Sequence, residues 1–345
     1  MFIRPATGFH GCTSLTSVTV GSSVASIGDE AFWGCTSLIS VVIPKSVTSI
    51  PPGAFGDCTG LTSVTIADSV TYIGNSAFTN CTSLTNVTIP NSVSSIGDRA
   101  FYSCTSLTNL SILNGVTNIG SYVFYGCLGL TTMTIPDSVT SIGSGAFFQC
   151  PSLIRASIGN SVNSIGYGTF WQCISLSNLT IGNSVTYIGV EAFYYCTSLT
   201  SVTVPSSVTN IDARAFYSCT NLTGIYFERN APSVGGVVFA DDLNATVYYL
   251  PGTTGWGPTF GGRPTALWVL PNPLMLRDSV GIQTNGFGFI ISWATNISVV
   301  VEACTTLTNP TWSPACTNTL TEGWSHFTDP EWTNYPSRYY RVRSL

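Results

Sequence analysis

The sequence predicts a mainly β protein, a solenoid of about ten 23-residue coils with short helical turns, followed by a small antiparallel β-sandwich. Three observations predict it. A cysteine returns every 23 residues, at Cys12, Cys35, Cys58, Cys81, Cys104, Cys127, Cys150, Cys173, Cys196 and Cys219. At the same interval run a phenylalanine from Phe9 to Phe239, a leucine from Leu15 to Leu222 and an isoleucine from Ile27 to Ile211. Beyond residue 276 the period is lost, and short β-type runs alternate with Gly, Pro, Asn and Thr.

Each element of a coil has its own signal. From Cys35 the apolar positions are Cys35, Leu38, Val41, Ile43, Val47, Ile50, Ala54 and Phe55. Leu38 to Ile43 fits L-x-x-L-x-L, a leucine-rich-repeat strand, and Val41 and Ile43 alternate with Ser40 and Val42 as a strand requires. Pro44–Lys45, like Pro90–Asn91 and Pro136–Asp137, starts a turn, because proline presets φ. Val47 and Ile50 mark a second short extended piece. A glycine then bends the chain, as at Gly97, Gly120 and Gly143, where a free φ is expected. Asp98 to Cys104 spaces its apolar residues like one helical turn, too short to stand alone. One coil cannot bury its apolar side; stacked coils lay like on like. Ten coils about 4.8 Å apart give a rod roughly 50 Å long.

The phrase "CTSLTSVTIP-SVTSIG--AF" resembles the BspA-like leucine-rich repeat, also called the Treponema pallidum type, over Phe9 to about Phe239. The resemblance implies a bacterial-type surface or secreted protein acting in adhesion or matrix binding, with no enzymatic activity. On this reading residues 1–239 are the solenoid, 240–270 its C-terminal cap, 271–276 a linker and 277–345 a small β-sandwich-like domain. Similar segments close other BspA-like arrays. "DPEWTNYPSRYYRVRSL" at the end resembles C-terminal modules of secreted repeat proteins from environmental bacteria. The chain starts in mid-repeat and "MFIRPATGFHG" has no long apolar region. The expectation is therefore a longer N-terminus with more repeats and an export signal.

Composition excludes several functions. Charged residues are 8% of the chain, against roughly 25% in ordinary domains. The net charge of −5 is diffuse, and eleven basic residues without a cluster argue against nucleic acid. No apolar run reaches the ~20 residues of a membrane span. The expected partner is an extracellular protein or glycan surface, and the expected state a monomer. No cofactor and no metal are expected: there is no C-x-x-C, and the cysteines have no interleaved histidine. They read as small core hydrophobes. His10 and His326 belong to no triad or metal pattern, and no G-x-S-x-G, P-loop or H-E-x-x-H occurs. Asp29, Asp68, Asp98, Asp137 and Asp212 read as turn residues satisfying backbone amides.

Three features remain as candidate sites. Directly after the core phenylalanine runs an aromatic row: Trp33, Tyr102, Tyr125, Phe148, Trp171, Tyr194 and Tyr217, interrupted by Gly56 and Thr79. Exposed, it would stack on sugars or receive a protein; the blander reading is mutual stacking along the coil edge. A Thr/Ser row on the strand, including Thr65, Thr88 and Thr134, reads as a solvated face. Cys304 and Cys316 lie outside the 23-residue phase, near the ends of two successive predicted strands, where a hairpin disulfide or two free thiols both fit. The function expected is a non-enzymatic extracellular or cell-surface binding and adhesion scaffold; the alternative is a carbohydrate-binding protein using the aromatic row or the C-terminal domain.

Overall fold

A computed structural model of the chain describes residues 8–268, 273–276, 279–283 and 286–344. The first seven residues, and residues 271 and 272 of the expected linker, lie outside the described residues. The chain forms two compact units. One runs to Val202 and takes in Ser207–Thr223 and Pro232–Ala245; the other holds Thr203–Ser206, Gly224–Ala231 and Thr246–Leu345.

The first unit is a parallel β-solenoid. Strands such as Ser40–Ile43, Ser63–Ile66 and Asn86–Ile89 pair in parallel with each residue opposite its equivalent one coil on, as in Ser40↔Ser63 and Ile43↔Ile66. Their outward and inward residues alternate, so Val41 and Ile43 are buried while Ser40 and Val42 face solvent. A second ladder is built from two-residue strands, from Ser49–Ile50 to Ser233–Val234, nine among the described residues. All eight apolar positions of the Cys35 coil are buried. At roughly 1.5–3 kcal/mol for each large apolar side chain, this core opposes the entropy of ordering the coil.

The third side carries the phenylalanine and cysteine columns. Phe9 through Phe239 form one stack with ring centroids 5.0 to 5.7 Å apart. The backbone here is a run of hydrogen-bonded turns. Twice in each coil a residue enters the left-handed region, for example Arg99 and Ser103 at φ 55°. These reversals stop the turn from propagating as a helix. The amides they redirect bond to the next coil, as in Arg99 N–H to Ser121 O at 2.9 Å and Ser103 N–H to Tyr125 O at 2.7 Å.

The bend glycines have a different cause from the one expected. Gly97, Gly120 and Gly143 do not use a left-handed φ; a Cβ at Gly120 would lie 2.7 Å from Asp98 N, so the stacked backbones leave no room for one. The hydroxyl-rich composition also serves the stack. Thr71, Ser94 and Thr117 each donate to the carbonyl of the equivalent residue one coil earlier, at 3.0 to 3.1 Å. Asp98 Oδ1 accepts Ser121 N–H at 2.7 Å, Asp137 Oδ1 accepts Asn160 N–H at 2.6 Å and Asp212 Oδ1 accepts Ala213 N–H at 2.7 Å, the amide-satisfying role read for these turn residues, whereas Asp68 pairs with Lys45 Nζ at 3.2 Å.

In the second unit, Thr246–Tyr249 pairs in parallel with Gly224–Phe227, and Arg263–Leu267 extends that ladder. Thr259–Phe260 then folds back antiparallel on Arg263–Leu267. Two antiparallel sheets follow. One contains Leu274–Met275, Gly281–Gln283, Gly286–Ser292 and Trp324–Asp329; the other Ile297–Cys304, Ser313–Leu320 and Tyr339–Ser344. Phe289, Ile291 and Phe327 from the first pack on Val299, Val301 and Leu320 from the second. That is a β-sandwich core.

Cys304 and Cys316 do lie on one hairpin, yet both are free thiols. The register sets Cys316 opposite Val301, three residues along the strand from Cys304, with a bulge between Val301 and Glu302. At ~3.4 Å per residue this offset exceeds the roughly 4.4–6.8 Å Cα separation of a disulfide. The Cys316 thiol donates instead to Asn318 Oδ1 at 2.6 Å, and the Cys304 thiol to Thr306 O at 3.3 Å.

Candidate functional site

The 23-residue cysteines stand in single file and are structural. Each buried thiol donates to the core phenylalanine carbonyl 26 residues before it, from Cys35 to Phe9 O at 3.0 Å through Cys219 to Phe193 O at 3.2 Å. Burial pushes the Cys58 thiol up to about 12 and holds Cys81, Cys104, Cys127, Cys173 and Cys219 well above the ordinary value of 9.0. A thiol kept protonated is neither nucleophile nor metal ligand. Among the described residues no three His, Cys, Asp or Glu side chains group as a metal site. His10 Nε2 lies 3.9 Å from Glu30 Oε2, and His326 Nδ1 lies 3.5 Å from Thr328 Oγ1.

The aromatic row is the candidate contact surface of the repeat region. All seven side chains are half-buried. Six of them form an unbroken stack: Tyr102–Tyr125 at 4.5 Å, Tyr125–Phe148 at 5.3 Å, Phe148–Trp171 at 4.3 Å, Trp171–Tyr194 at 5.5 Å and Tyr194–Tyr217 at 5.0 Å. Their planes lie within 15° of parallel. Ring faces are therefore used up between neighbours, which leaves ring edges as the accessible part of these half-buried side chains. Trp33 stands apart and lies over Gly53 and Gly56, where a Cβ would meet its indole.

Polar groups tie the row down. Tyr125 O–H donates to Gln149 Oε1 at 2.6 Å, and Gln149 Nε2 donates to Gln172 Oε1 at 3.0 Å. Burial and the neighbouring tyrosines push the Tyr125 and Tyr194 hydroxyls up, and a hydrogen bond to Asp241 does the same for Tyr217. The edge thus presents neutral O–H groups.

The repeat region now allows comparison with known proteins. A family model described as the BspA type leucine rich repeat region matches residues 5–131 and 117–246, together more than half of the chain. The chain belongs to the BspA-type leucine-rich repeat family. It is similar to a leucine-rich repeat protein from Bacteroides ovatus, with 26% identity over 72% of this chain and 82% of that one, TM-score 0.41. A leucine rich cell surface protein from Faecalibacterium prausnitzii shares 32% identity over 64% of this chain and 74% of its own, TM-score 0.40. The leucine rich repeat protein of T. pallidum shares 30% over 53% and 78%, TM-score 0.40. A search of curated proteins finds no match. Among the described residues no helix is long and apolar enough to cross a membrane.

This BspA-type solenoid widens its aromatic row with residues that periodicity alone did not single out. Tyr122 packs edge-on to Tyr125 at 6.3 Å and lies over Gly145. Tyr195 leans on Tyr194 at 4.8 Å and is exposed, as is Tyr167. Tyr122 and Tyr195 sit at φ 55° and 59°, the left-handed positions that every coil shares and that elsewhere hold residues as different as Gly53, Glu30, Arg99 and Gln149. A bulky ring in left-handed backbone costs about 1–2 kcal/mol. The extra tyrosines flanking the row in the sequence were the available signal.

Proposed function

We propose that the chain is a non-enzymatic extracellular or cell-surface scaffold for adhesion or protein binding, and that the aromatic face of the later coils is its contact surface. The observation that carries this is the stack from Tyr102 to Tyr217, half-buried, with its edges outward. Five coil steps at about 4.8 Å make it roughly 24 Å long, the dimension of a patch of ~800 Å² per partner. Rings already held on both faces have little freedom left to lose on binding, and aromatic edges with hydroxyls are favoured in protein interfaces. Membership of the BspA-type family supports the same reading. On this face a protein is favoured over a glycan, since a sugar ring needs a free aromatic face and each inner ring has given both to its neighbours.

The test is biolayer interferometry of the full chain against a panel of extracellular matrix proteins, with a Tyr125→Ser/Tyr194→Ser variant beside it. Binding weakened by at least ~10-fold in a variant that still unfolds cooperatively supports the face as the contact. A variant binding as tightly as the parent removes the row from the interface.

A further inference from the structure

We propose that the C-terminal sandwich binds one neutral hexopyranose unit of a glycan, in a pocket separate from the solenoid face. The pocket has a volume of about 220 Å³ and is lined by Phe287, Trp332, Tyr335, Ser337, Arg338 and Tyr340. These residues come from two strands, the short 3-10 turn Trp332–Asn334 and the segment after it. One wall is aromatic: Phe287 stacks on Tyr340 at 5.4 Å and 12°, and Trp332 leans on Phe287 at 6.1 Å and 45°. The other wall is the Arg338 guanidinium, centred 4.1 Å over the Tyr335 ring.

A single carboxylate holds both walls. Asp329 is 6% exposed; its Oδ2 pairs with Arg338 Nε at 2.7 Å and accepts Tyr340 O–H at 2.8 Å, while its Oδ1 accepts Glu331 N–H at 2.9 Å. The site is pre-formed and a ligand does not have to order it. Asp329 also cancels the charge of Arg338. What the wall offers a ligand is the fork of guanidinium donors with no net charge, which suits hydroxyls better than carboxylates or phosphates.

A pyranose combines the features these walls complement. Its C–H face covers an aromatic ring, and its hydroxyls accept from a guanidinium and exchange hydrogen bonds with the Ser337 hydroxyl. The volume is below the roughly 300–1,000 Å³ of drug-sized sites, so one ring fits and a folded oligomer does not. A proline-rich peptide, the other partner of aromatic-lined sites, requires an extended groove. Trp332, Tyr335 and Arg338 instead line a short, half-open recess.

The experiment uses the full chain and four neutral probes: methyl β-glucoside, methyl β-galactoside, methyl α-mannoside and N-acetylglucosamine. A proline-rich peptide is the fifth ligand. Saturation-transfer NMR and tryptophan fluorescence read binding. At least one sugar is expected to bind with Kd on the order of 1 mM, as a ligand of this size allows. Trp332→Ala and Tyr335→Ala each weaken it at least tenfold. Tyr335 is 38% exposed, so its variant keeps the test valid if Trp332→Ala fails to fold. Absence of saturation transfer from all four sugars at about 20 mM overturns the proposal. So does sugar binding unchanged by Tyr335→Ala, or binding of the peptide alone.

Discussion

Replacing Trp171 and Phe148 by alanine, singly and together, measures whether the aromatic row is stacked on itself. Trp171 lies 4.3 Å from Phe148 at 13° and 5.5 Å from Tyr194 at 2°. Each stacked pair contributes about 0.5–1.5 kcal/mol beyond burial. Trp171→Ala removes two such pairs and half-buried indole surface, for a loss of about 3 kcal/mol. Phe148→Ala also loses the Tyr125 pair at 5.3 Å and costs about 2–3 kcal/mol. The 148–171 contact is counted in both, so the double variant loses about 1 kcal/mol less than the sum. The assay is urea unfolding followed by far-UV circular dichroism and by fluorescence; the two must coincide, since a repeat array can unfold in stages. Trp171→Ala with Trp33→Ala is the control pair, separated by six coils, and adds within about 0.5 kcal/mol. If the 148–171 coupling matches the control, the rings are not mutually stacked, their faces are free, and the case for a protein over a sugar on this surface fails.

Three other outcomes are expected. Stability is full below about pH 9 and falls as pH rises from there toward 12, because unfolded thiols ionise while buried ones such as Cys58 and Cys104 stay protonated; each contributes up to ~1.4 kcal/mol per pH unit, and Cys104→Ala lessens the slope of urea midpoints measured from about pH 8 to 10.5. A flat profile over that range means the thiols titrate freely. Gly56→Ala places a methyl in the Trp33 ring and costs about 1–3 kcal/mol by thermal or urea unfolding, and adding Trp33→Ala costs less than its loss alone; strict additivity counts against that packing. Deleting the 23 residues Cys104–Gly126 keeps every ladder in phase and lowers stability by about 1–3 kcal/mol, whereas deleting the 20 residues Cys104–Val123 costs far more; equal losses in circular dichroism melts refute the register.

Most of the solenoid was legible because its ladders repeat identity. A column of Phe or Leu at a fixed interval has one economical explanation, and all eight apolar positions read from the Cys35 coil are buried. The turns were less legible. The left-handed positions hold residues as different as Glu30, Arg99, Gln149 and Arg214, so composition does not betray them; hydrogen bonds to the next coil select that backbone. The orientation of the aromatic row was implicit in the geometry. A ladder about 4.8 Å apart leaves consecutive rings at one position little choice but to stack. The Cys304–Cys316 offset was hidden because register across a hairpin depends on turn length and one bulge. The pocket around Trp332 was hidden for a related reason: Phe287 and Arg338 meet only through the sheet pairing.

The contrast between two adjacent columns is the sequence ground for the proposed contact face. The core position uses phenylalanine in every coil, the answer of a site asked only to pack. The next position mixes Tyr, Tyr, Phe, Trp, Tyr and Tyr from residue 102 to 217, rings of different size bearing different polar edges. Packing alone has no use for that variety. The earlier coils lack the row: between Trp33 and Tyr102 the position holds Gly56 and Thr79, and the neighbouring column is a polar ladder in which Asn80 Nδ2 donates to Asp57 Oδ1 at 2.7 Å. One stretch of the solenoid therefore carries a continuous aromatic row and the other does not. Variety of ring and polar edge confined to one row of adjoining coils is the ground on which an outside partner is proposed for this face.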